Sequence, residues 1–341
     1  MIDEHIITES ELDAFQPGRS LAGELQALIL QQRSTWDLAR IGYEGREKAA
    51  TRQLIVDDVN ITLQFNPGRI KSTTARVDEK STARRPCFLC ETNIPPEQRG
   101  ILYGNEYLIL VNPYPIFPEH FTVPRIMHTP QAILPEIEIL LDLARDLSPD
   151  FLALYNGPRS GASAPDHLHF QIGTRSYLPL LKEYDGVRER WGRLLAGRED
   201  LRAYSVDHYL PPFISLESSS LQSLINAFHS LYGILQKFSM TDDEPMMNLL
   251  CWFDEEEWRL VAFLRAKHRP ARFYARRDRR MLISPGAIDL GGVVVVPVQK
   301  DFEKIQAPDI EAIMEEVSLP SETFREITCA LGENLGADQE K

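Results

Sequence analysis

One short segment of this 341-residue chain, residues 167–172, reads HLHFQI. Polar and apolar side chains alternate along it, which is the period of a strand with one buried face. Such a strand directs His167, His169 and Gln171 to one side and the apolar residues to the other. Two imidazoles and an amide are an unusual filling for a core, so the segment predicts a nucleophile or a metal ligand. The alternative is a polar strand that faces solvent after a loop.

A run of small residues, NGPRSGAS at 156–163, precedes this segment. Glycine has no Cβ, so backbone N–H groups in such a run can approach a phosphate closely. A nucleophile beside an anion-binding loop predicts a nucleotide site. We expect Asn112 or Asn156 to position ribose or phosphate groups. The candidate phosphate-binding residues of the loop are Asn156, Arg159, Ser160, Gly161 and Ser163.

Together, NGPRSGASAPDHLHFQ at 156–171 resembles the active-site segment of the histidine-triad superfamily, in its transferase branch. That branch contains galactose-1-phosphate uridylyltransferase, diadenosine tetraphosphate phosphorylase and the GDP-hexose phosphorylases. A bacterial subfamily of it combines QFNPGRI, RPCFLC and the segment above, and the resemblance covers about residues 54–175. It implies an α+β fold, an antiparallel sheet with covering helices, and two pseudo-repeats in one chain. Asp166 is one residue more than the uridylyltransferase pattern has, which alters the expected phosphate contacts of the loop.

The composition is that of a globular protein whose length suits two domains or one duplicated domain. A net charge of −13 argues against a general nucleic-acid binder, so an anionic substrate needs a local basic pocket. No apolar run approaches the roughly 20 residues of a membrane span, and the first residues do not resemble a signal peptide. The 4 cysteines do not form a secreted disulfide framework. We therefore expect a cytoplasmic protein without a membrane partner.

Hydrophobic periodicity predicts an α+β sheet with one covering helix over about residues 50–185. We expect a helix at 21–36, a hairpin or long strand at 54–65, a polar and basic stretch at 66–85, strands at 107–111, 120–124, 151–155 and 167–172, and a helix at 131–147.

The second half predicts a helix at 221–235, a hairpin at 247–264 and a buried strand within 291–298. Residues 123–130 and 263–270 both follow an apolar strand and share Arg-x-x-His-x-Pro, a weak internal echo. The second half has no His-x-His, so it would be a degenerate copy. The predicted domains are an N-terminal helical extension at 1–50, a catalytic histidine-triad-like domain at 51–190 and a second, degenerate one at 191–341.

Cys87 and Cys90 form a C-x-x-C pair. A thioredoxin-like redox pair would need a βαβ context, which is missing, and the two could be unrelated core cysteines. A tetrahedral zinc site needs two further ligands. The resemblance implies that His128 and His167 supply them, with His120 as the alternative to His128. Such a zinc ion is structural: ligation of His167 would hold the strand that carries the nucleophile.

The resemblance also implies the roles of the two remaining polar residues on the strand. His169 is the expected nucleophile toward a nucleotide α-phosphate, with its other ring nitrogen bonded to a backbone carbonyl. Hydrolytic relatives have a third histidine at the position of Gln171. Glutamine cannot transfer a proton, but it can donate a hydrogen bond to a phosphate oxygen. Gln171 therefore favours a transferase or phosphorylase over a hydrolase.

The basic segment NPGRIKSTTAR at 66–76 offers charges that could balance the phosphates. Arg69, Lys71 and Arg76 are the candidates, with the hydroxyls of residues 72–73 as donors. The alternative is a solvated basic loop. His208 could contact substrate, although a structural role is the simpler interpretation.

These patterns predict an enzyme of the nucleotidyltransferase class that forms a nucleotidyl-histidine. The donor would be a nucleoside diphosphate sugar or a dinucleoside polyphosphate, and the acceptor phosphate, a sugar 1-phosphate or a nucleotide. The alternatives are a nucleotide hydrolase of the same fold and a non-enzymatic nucleotide-binding protein. The predicted partners are the nucleotide or nucleotide-sugar substrate and zinc, without nucleic acid, in a monomer or homodimer.

Overall fold

The computed structural model describes residues 2–15, 20–75, 77–82, 84–239 and 243–337. Within these ranges, 10 strands form one antiparallel sheet and 3 form a smaller sheet. The strands are β1 Thr51–Val56, β2 Val59–Phe65, β3 Gly100–Tyr103, β4 Tyr107–Val111, β5 His120–Pro124, β6 Phe151–Asn156, β7 His169–Thr174, β8 Gly192–Gly197, β9 Leu201–Val206, β10 Phe213–Ser218, β11 Met247–Asp254, β12 Glu257–Leu264 and β13 Val293–Val296.

Helices connect the strands, and no helix among the described ranges combines the length and apolarity needed to cross a bilayer. The longer helices are α1 Leu21–Thr35, α2 Asp37–Glu47, α3 Ile137–Asp146, α4 Pro179–Trp191, α5 Leu221–Ser239, α6 Ala307–Val317 and α7 Ser321–Ala337. Shorter helical segments are Ile2–His5, Glu9–Leu12, Pro67–Arg69, Ile70–Thr73, Glu79–Thr82, Glu91–Asn93, Leu134–Glu136, Arg175–Tyr177, Ala271–Tyr274, Arg277–Arg279, Ala287–Leu290 and Gln299–Lys304.

The large sheet consists of two halves with the same internal strand order. The first half runs β3-β4-β5-β7-β6, and the second, counted from its own outer edge, runs β8-β9-β10-β12-β11. Along the chain, a helix separates the third and fourth strands of each half: α3 lies between β5 and β6, and α5 lies between β10 and β11. The halves join where β6 pairs with β11, from Asn156 opposite Asn248 to Ala153 opposite Cys251. This confirms the predicted α+β fold with two pseudo-repeats.

The sequence echo between residues 123–130 and 263–270 does not mark equivalent positions in the two halves. Residues 123–130 begin in the last two residues of β5, whereas residues 263–270 begin in the last two residues of β12. The strand order makes β12 equivalent to β7 and β5 equivalent to β10. The echo therefore compares different strands, and the repeat is visible in topology rather than in sequence.

The large sheet separates two hydrophobic cores. On one face, Phe170 and Ile172 of β7 join the core beneath α1, α3, α5 and α7. On the other face, the smaller sheet packs with α4 and α6 over the second core. Complete burial of one such side chain contributes about 1.5–3 kcal/mol to the stability of the fold. The burial of Phe170 and Ile172 therefore fixes which face of β7 is polar.

The first half closely follows the predicted elements. The strand predicted at 120–124 has these bounds, and residues 54–65 belong to a hairpin whose turn residues Asp57 and Asp58 have positive φ. The helix predicted from 131 begins at Ile137, because a 3-10 turn with Pro135 precedes it. Strand β7 begins at His169, so His167 lies just before the strand.

Candidate functional site

The polar face of β7 carries His169 and Gln171, as its alternation predicts. Phe170 is fully buried on the opposite face, and only 4% of His169 is exposed. The amide side chain of Gln131 holds the start of the strand, because it accepts from His169 N at 2.8 Å and donates to His169 O at 3.0 Å. The position of His169 is therefore fixed on both sides of its backbone.

The proton on the His169 ring is placed by a backbone carbonyl. Nδ1 of His169 lies 2.8 Å from the carbonyl oxygen of His167, and a carbonyl can only accept, so Nδ1 is the donor. Burial lowers the pKa of His169 to about 4, so the ring is neutral at pH 7. A neutral ring protonated on Nδ1 has its lone pair on Nε2. That nitrogen is chemically able to attack an electrophile.

A second histidine orients Gln171. Nδ1 of His120 accepts a hydrogen bond from Ile116 N at 3.1 Å, so its Nε2 carries the proton and donates to Gln171 Oε1 at 2.9 Å. Burial lowers the pKa of His120 to about 3, which keeps the ring neutral. The amide oxygen of Gln171 is thus engaged, and its NH₂ group is left to donate elsewhere. Sequence reasoning considered His120 only as an alternative metal ligand and missed this role.

Four residues predicted as metal ligands lie together. The ligand atoms of Cys87, Cys90, His128 and His167 are all within 4.8 Å of one another. Cys87 Sγ is 3.3 Å and Cys90 Sγ 3.6 Å from His167 Nδ1, and Cys90 Sγ is 3.0 Å from His128 Nδ1. Ligands of a tetrahedral zinc ion have sulfur and nitrogen about 3.5 Å apart, from bond lengths of about 2.3 and 2.0 Å. The group fits a metal ion, and His120 is not part of it.

The other ring nitrogen of His167 supports this arrangement. Nε2 of His167 donates to the carbonyl oxygen of Arg125 at 2.6 Å, which leaves Nδ1 free of its proton and directed at the two sulfurs. A carbonyl partner of this kind is typical of histidines that bind metals. His167 therefore contributes its side chain to the Cys2His2 group and its carbonyl to His169.

The small-residue loop lies against the second half of the chain. Gly161 has φ of +102°, and a Cβ there would meet Gly286 Cα at 3.1 Å, so both the conformation and the space require glycine. Asn156 Oδ1 accepts from Asn248 Nδ2 at 2.7 Å and from Ala287 N at 2.8 Å. Asn156 thus connects the loop with the second half.

The structure distributes the other predicted binding residues over three environments. Arg69 is half-buried beside the site, where it donates to Tyr114 O at 3.1 Å and burial lowers its pKa to about 10. Arg159 is exposed and pairs with Asp243 at 3.0 Å. Ser160 is fully buried, and its hydroxyl has no hydrogen-bond partner among the described residues. Arg76 lies outside the described residues.

Two cavities meet at Gln171. The larger, of about 620 Å³, has a mainly apolar inner surface and includes His169; the smaller, of about 60 Å³, has a mainly polar surface. Arg69 and Gln171 line both cavities, whereas neither Arg159 nor Ser160 lines either of them. The larger cavity also includes Lys71, Asn112 and Ser163, and the smaller includes Asn156, Gly161, Ser163, His268, Arg269 and Asp289.

Two family models match consecutive parts of the chain. Residues 28–174 match a domain of unknown function (DUF4922), and residues 189–337 match a domain described as GDPGP1-like, C-terminal. No curated protein matches the sequence.

Among solved structures, the yeast Ap4A phosphorylase Apa2 is similar over nearly its whole length. The alignment covers 86% of this chain and 97% of that chain at 16% identity, with a TM-score of 0.59. The structure of Apa2 in complex with AMP gives 0.56, and its complex with Ap4A gives 0.55, at the same identity and coverage. At this identity the likeness establishes the fold.

Fold and comparisons together define an α+β protein with two half-sheets of the same strand order, a fold that it shares with Apa2. Through its GDPGP1-like C-terminal domain and its Apa2-like fold, the chain is similar to the transferases and phosphorylases of the histidine-triad superfamily.

Proposed function

We propose that this protein transfers nucleotidyl groups through a covalent intermediate on His169. The observation that carries the proposal is the hydrogen bond from His169 Nδ1 to the carbonyl oxygen of His167 at 2.8 Å. It leaves the Nε2 lone pair available in a neutral ring, beside a cavity of nucleoside size. The fold neighbour with bound AMP and Ap4A supports a nucleotide as the ligand.

In the proposed reaction, Nε2 of His169 attacks the α-phosphorus of a nucleoside diphosphate sugar or a dinucleoside polyphosphate. The bond from phosphorus to the leaving phosphate oxygen breaks, and that oxygen takes the electron pair. Phosphate or a sugar 1-phosphate then attacks the same phosphorus, and the electron pair of the P–N bond returns to Nε2. The NH₂ group of Gln171 donates to a non-bridging oxygen in both steps, where negative charge develops.

The remaining predicted residues bind the rest of the substrate. Arg69 and Lys71 balance the phosphate charge from the cavity walls, and Gly161 and Ser163 offer backbone groups of the small-residue loop. Asn156 sets the position of that loop through its bonds to the second half. The proposed binding set further includes Arg76, Arg159 and Ser160, with Arg159 acting only if it leaves Asp243.

We propose zinc as the occupant of the Cys2His2 group, because two thiolates and two imidazoles are its preferred donors. With four protein ligands it would supply structural cross-linking rather than an open position for substrate. Cys87 and Cys90 would hold it together with His128 and His167. The carbonyl of His167 would thereby be held beneath the His169 ring.

The domain boundaries remain part of the proposal: an extension at 1–50, a catalytic unit at 51–190 and a second unit at 191–341. The two family models meet between residues 174 and 189, and β8 begins the second half-sheet at Gly192. The smaller sheet crosses the division, because β13 of the second unit pairs in parallel with β2 of the first.

Mass spectrometry of the intact protein tests the function directly. After incubation with UDP-glucose, GDP-glucose or diadenosine tetraphosphate, we expect one nucleotidyl group per chain with the true donor. His169→Gly should carry no adduct, whereas His208→Gly, an exposed histidine away from both cavities, should carry the wild-type amount. An adduct of equal size on His169→Gly would refute the assignment. Release of monophosphate alone, with phosphate and sugar 1-phosphate present, would favour a hydrolase.

A further inference from the structure

The second half of the chain forms much of the smaller cavity. His268, Arg269 and Asp289 line it from that half, and Arg69 and Gln171 line it from the first half. Since Gln171 also lines the larger cavity, the α-phosphate bound there would have the smaller cavity on its far side. The group that leaves or attacks the α-phosphorus then has to occupy the smaller cavity. This role of the smaller cavity rests on the proposed function.

The charged side chains of the smaller cavity give it a net positive charge. Arg69 and Arg269 are cationic, and Asp289 is the one carboxylate among the described residues that line it. The Asp289 carboxylate accepts from Gly286 N and Val295 N, both at 2.9 Å. Its charge is therefore satisfied locally, and a second anion can bind opposite the guanidinium groups.

Arg269 is a fixed cation rather than a mobile surface side chain. Its Nε donates to Ser284 Oγ at 2.9 Å, and its Nη2 donates to the carbonyl oxygens of Thr73 and Ala75, each at 2.9 Å. Its guanidinium also lies 4.3 Å from the centre of the Phe273 ring. These contacts tie the second half to the basic segment of the first and position the charge before any ligand arrives.

His268 provides a polar group that the fold itself does not use. Its ring has no hydrogen-bond partner among the described residues, although it is partly buried and lines the cavity. Its backbone is held, because Arg265 Nη2 donates to the carbonyl oxygen of His268 at 3.0 Å. Burial and the neighbouring arginines lower its pKa to about 4, so the ring is neutral and offers one N–H donor at pH 7.

We infer that His268 and Arg269 bind the phosphate group that accepts the nucleotidyl group from His169. The cavity of about 60 Å³ is too small for a second nucleoside but suits a phosphate group. Inorganic phosphate and a sugar 1-phosphate share this chemistry. An unprotonated oxygen of the bound phosphate attacks the α-phosphorus, a P–O bond forms, and the P–N bond breaks with its electrons returning to Nε2. The dianion needs to lose no proton in this step.

The test separates loading of the enzyme from its discharge. Nucleoside 5′-phosphorimidazolides of uridine, guanosine and adenosine would load His169, because their leaving group is imidazole and needs no anion site. The rate of discharge is then followed against the concentration of inorganic phosphate or glucose 1-phosphate. The variants are His268→Ala and Arg269→Gln, with His208→Ala and Arg279→Gln as exposed controls.

We expect His268→Ala and Arg269→Gln to raise the half-saturating phosphate concentration by about tenfold or more, the effect of losing a hydrogen bond to a charged group. Loading and the discharge rate at saturation should stay within roughly threefold of wild type. The controls should match wild type. If Arg269→Gln unfolds, His268→Ala still provides the test, because the ring of His268 makes no hydrogen bond to another described residue. Faster discharge by one of the two phosphate compounds identifies the acceptor.

Unchanged phosphate dependence in His268→Ala, or discharge that neither compound accelerates over water, would overturn the inference. If the wild type accepts no nucleotidyl group, the proposed function fails instead. In that case, titration of the unloaded protein with inorganic phosphate, followed by ³¹P NMR, tests whether the smaller cavity binds phosphate independently of nucleotidyl transfer. Weaker binding by His268→Ala than by wild type supports the site, and equal binding refutes it.

Discussion

His120 shows how a residue without substrate contact can determine what the site offers. It is fully buried, and its ring forms a T-shaped pair with that of Phe117 at 5.2 Å between ring centres. Its hydrogen bond engages the oxygen of Gln171 and so presents the NH₂ group, which is the half of the amide that a phosphate oxygen can use. A glutamine with the opposite orientation would present an acceptor to an anion.

Replacement of Gln171 should therefore affect the transition state more than binding. Gln171→Ala should lower kcat by the equivalent of about 2–4 kcal/mol, the usual cost of removing one such donor. Gln171→His should divert the intermediate toward water, since imidazole can transfer a proton. The measurement is the ratio of free monophosphate to transfer product, with Gln236→Ala on the exposed face of α5 as control. An unchanged ratio in Gln171→His would contradict this role.

Glu244, which lies near the small-residue loop, makes the stability of the protein depend on pH. Burial raises its pKa from 4.5 to about 7, while Tyr155 donates to its carboxylate at 2.8 Å and Ile133 N at 2.6 Å. Between pH 4.5 and 7, the Glu244 carboxyl is therefore protonated in the folded state and ionised in the unfolded state. Its contribution is fully present below pH 4.5 and is lost as the pH rises through 7.

We expect wild type to lose about 2.5 kcal/mol of unfolding free energy between pH 5 and 8 relative to Glu244→Gln, at about 1.4 kcal/mol per pKa unit. Urea unfolding at both pH values measures this difference. The control variant Glu315→Gln, which changes an exposed carboxylate of α6, should follow wild type. If the unfolding free energies of wild type and Glu244→Gln change equally between the two pH values, burial does not raise the pKa of Glu244.

At the scale of elements, the segment before β3 contacts the segment that leads into β7 through the Cys2His2 group, a small apolar cluster of Cys87, Leu89 and Ala164, and a few polar contacts. Arg85 donates to Ser163 O at 3.1 Å and to Asp166 at 3.3 Å, which adds a modest partly exposed pair. We expect Cys87→Ser to lose the metal and to unfold more readily, whereas Cys329→Ser, an exposed cysteine outside the group, should keep both properties.

Metal analysis should find about one zinc per chain in wild type and in Cys329→Ser. Thermal unfolding with and without a chelator provides the second measurement. The prediction fails if wild type is folded, active and free of metal, or if Cys87→Ser retains a full equivalent.

Short apolar segments such as β4 and β5 are predicted from the sequence, whereas β8, β9 and β10 of the second half are not, although β10 is buried along its whole length. Strand β5 has the predicted bounds because Phe121 and Val123 are completely buried. Strand β8 went unpredicted, since it lies at the edge of the sheet with Arg193 and Leu194 exposed. Exposed edge residues need no apolar alternation. Helices α4, α6 and α7 were missed as well, although each has a buried side or buried residues.

At the scale of the whole molecule, the two halves are joined by a buried polar chain. Asn248 donates to Asn156 Oδ1 at 2.7 Å, and its own Oδ1 accepts from Arg265 Nη1 at 2.6 Å. Arg265 is 3% exposed and donates to four further carbonyl oxygens. This buried guanidinium fixes the path of the chain toward His268.

Asn248→Ala should destabilise the protein by about 2–4 kcal/mol, because Arg265 and Asn156 each lose a buried partner. Asn226→Ala, at an exposed pair on α5, should change stability by less than about 0.5 kcal/mol. Denaturant unfolding of the two variants gives the comparison. Equal stability of Asn248→Ala and wild type would mean that the joint depends on the strand pairing alone.

The sequence located one side of the site but not the other. Recognisable sequence spacing marks His169, Gln171 and the Cys2His2 group. The structure brings these residues together. Arg269 and Asp289 join the site only through folding, since Arg269 bonds to Thr73, a residue 196 positions earlier. The repeated Arg-x-x-His-x-Pro contains His268, but the sequence indicated only a possible repeat there and no role for this histidine.

The pairing of β6 with β11 has a consequence for how the protein is made. The paired residues Asn156 and Asn248 are 92 positions apart, so β6 leaves the ribosome well before its partner. At about 5–20 residues per second, the apolar edge of β6 stays open for roughly 5–18 s. An open edge can pair with any free strand, including β6 of a neighbouring nascent chain on the same message. Crowded ribosomes would therefore favour mispaired chains, and slow translation between the halves would aggravate this.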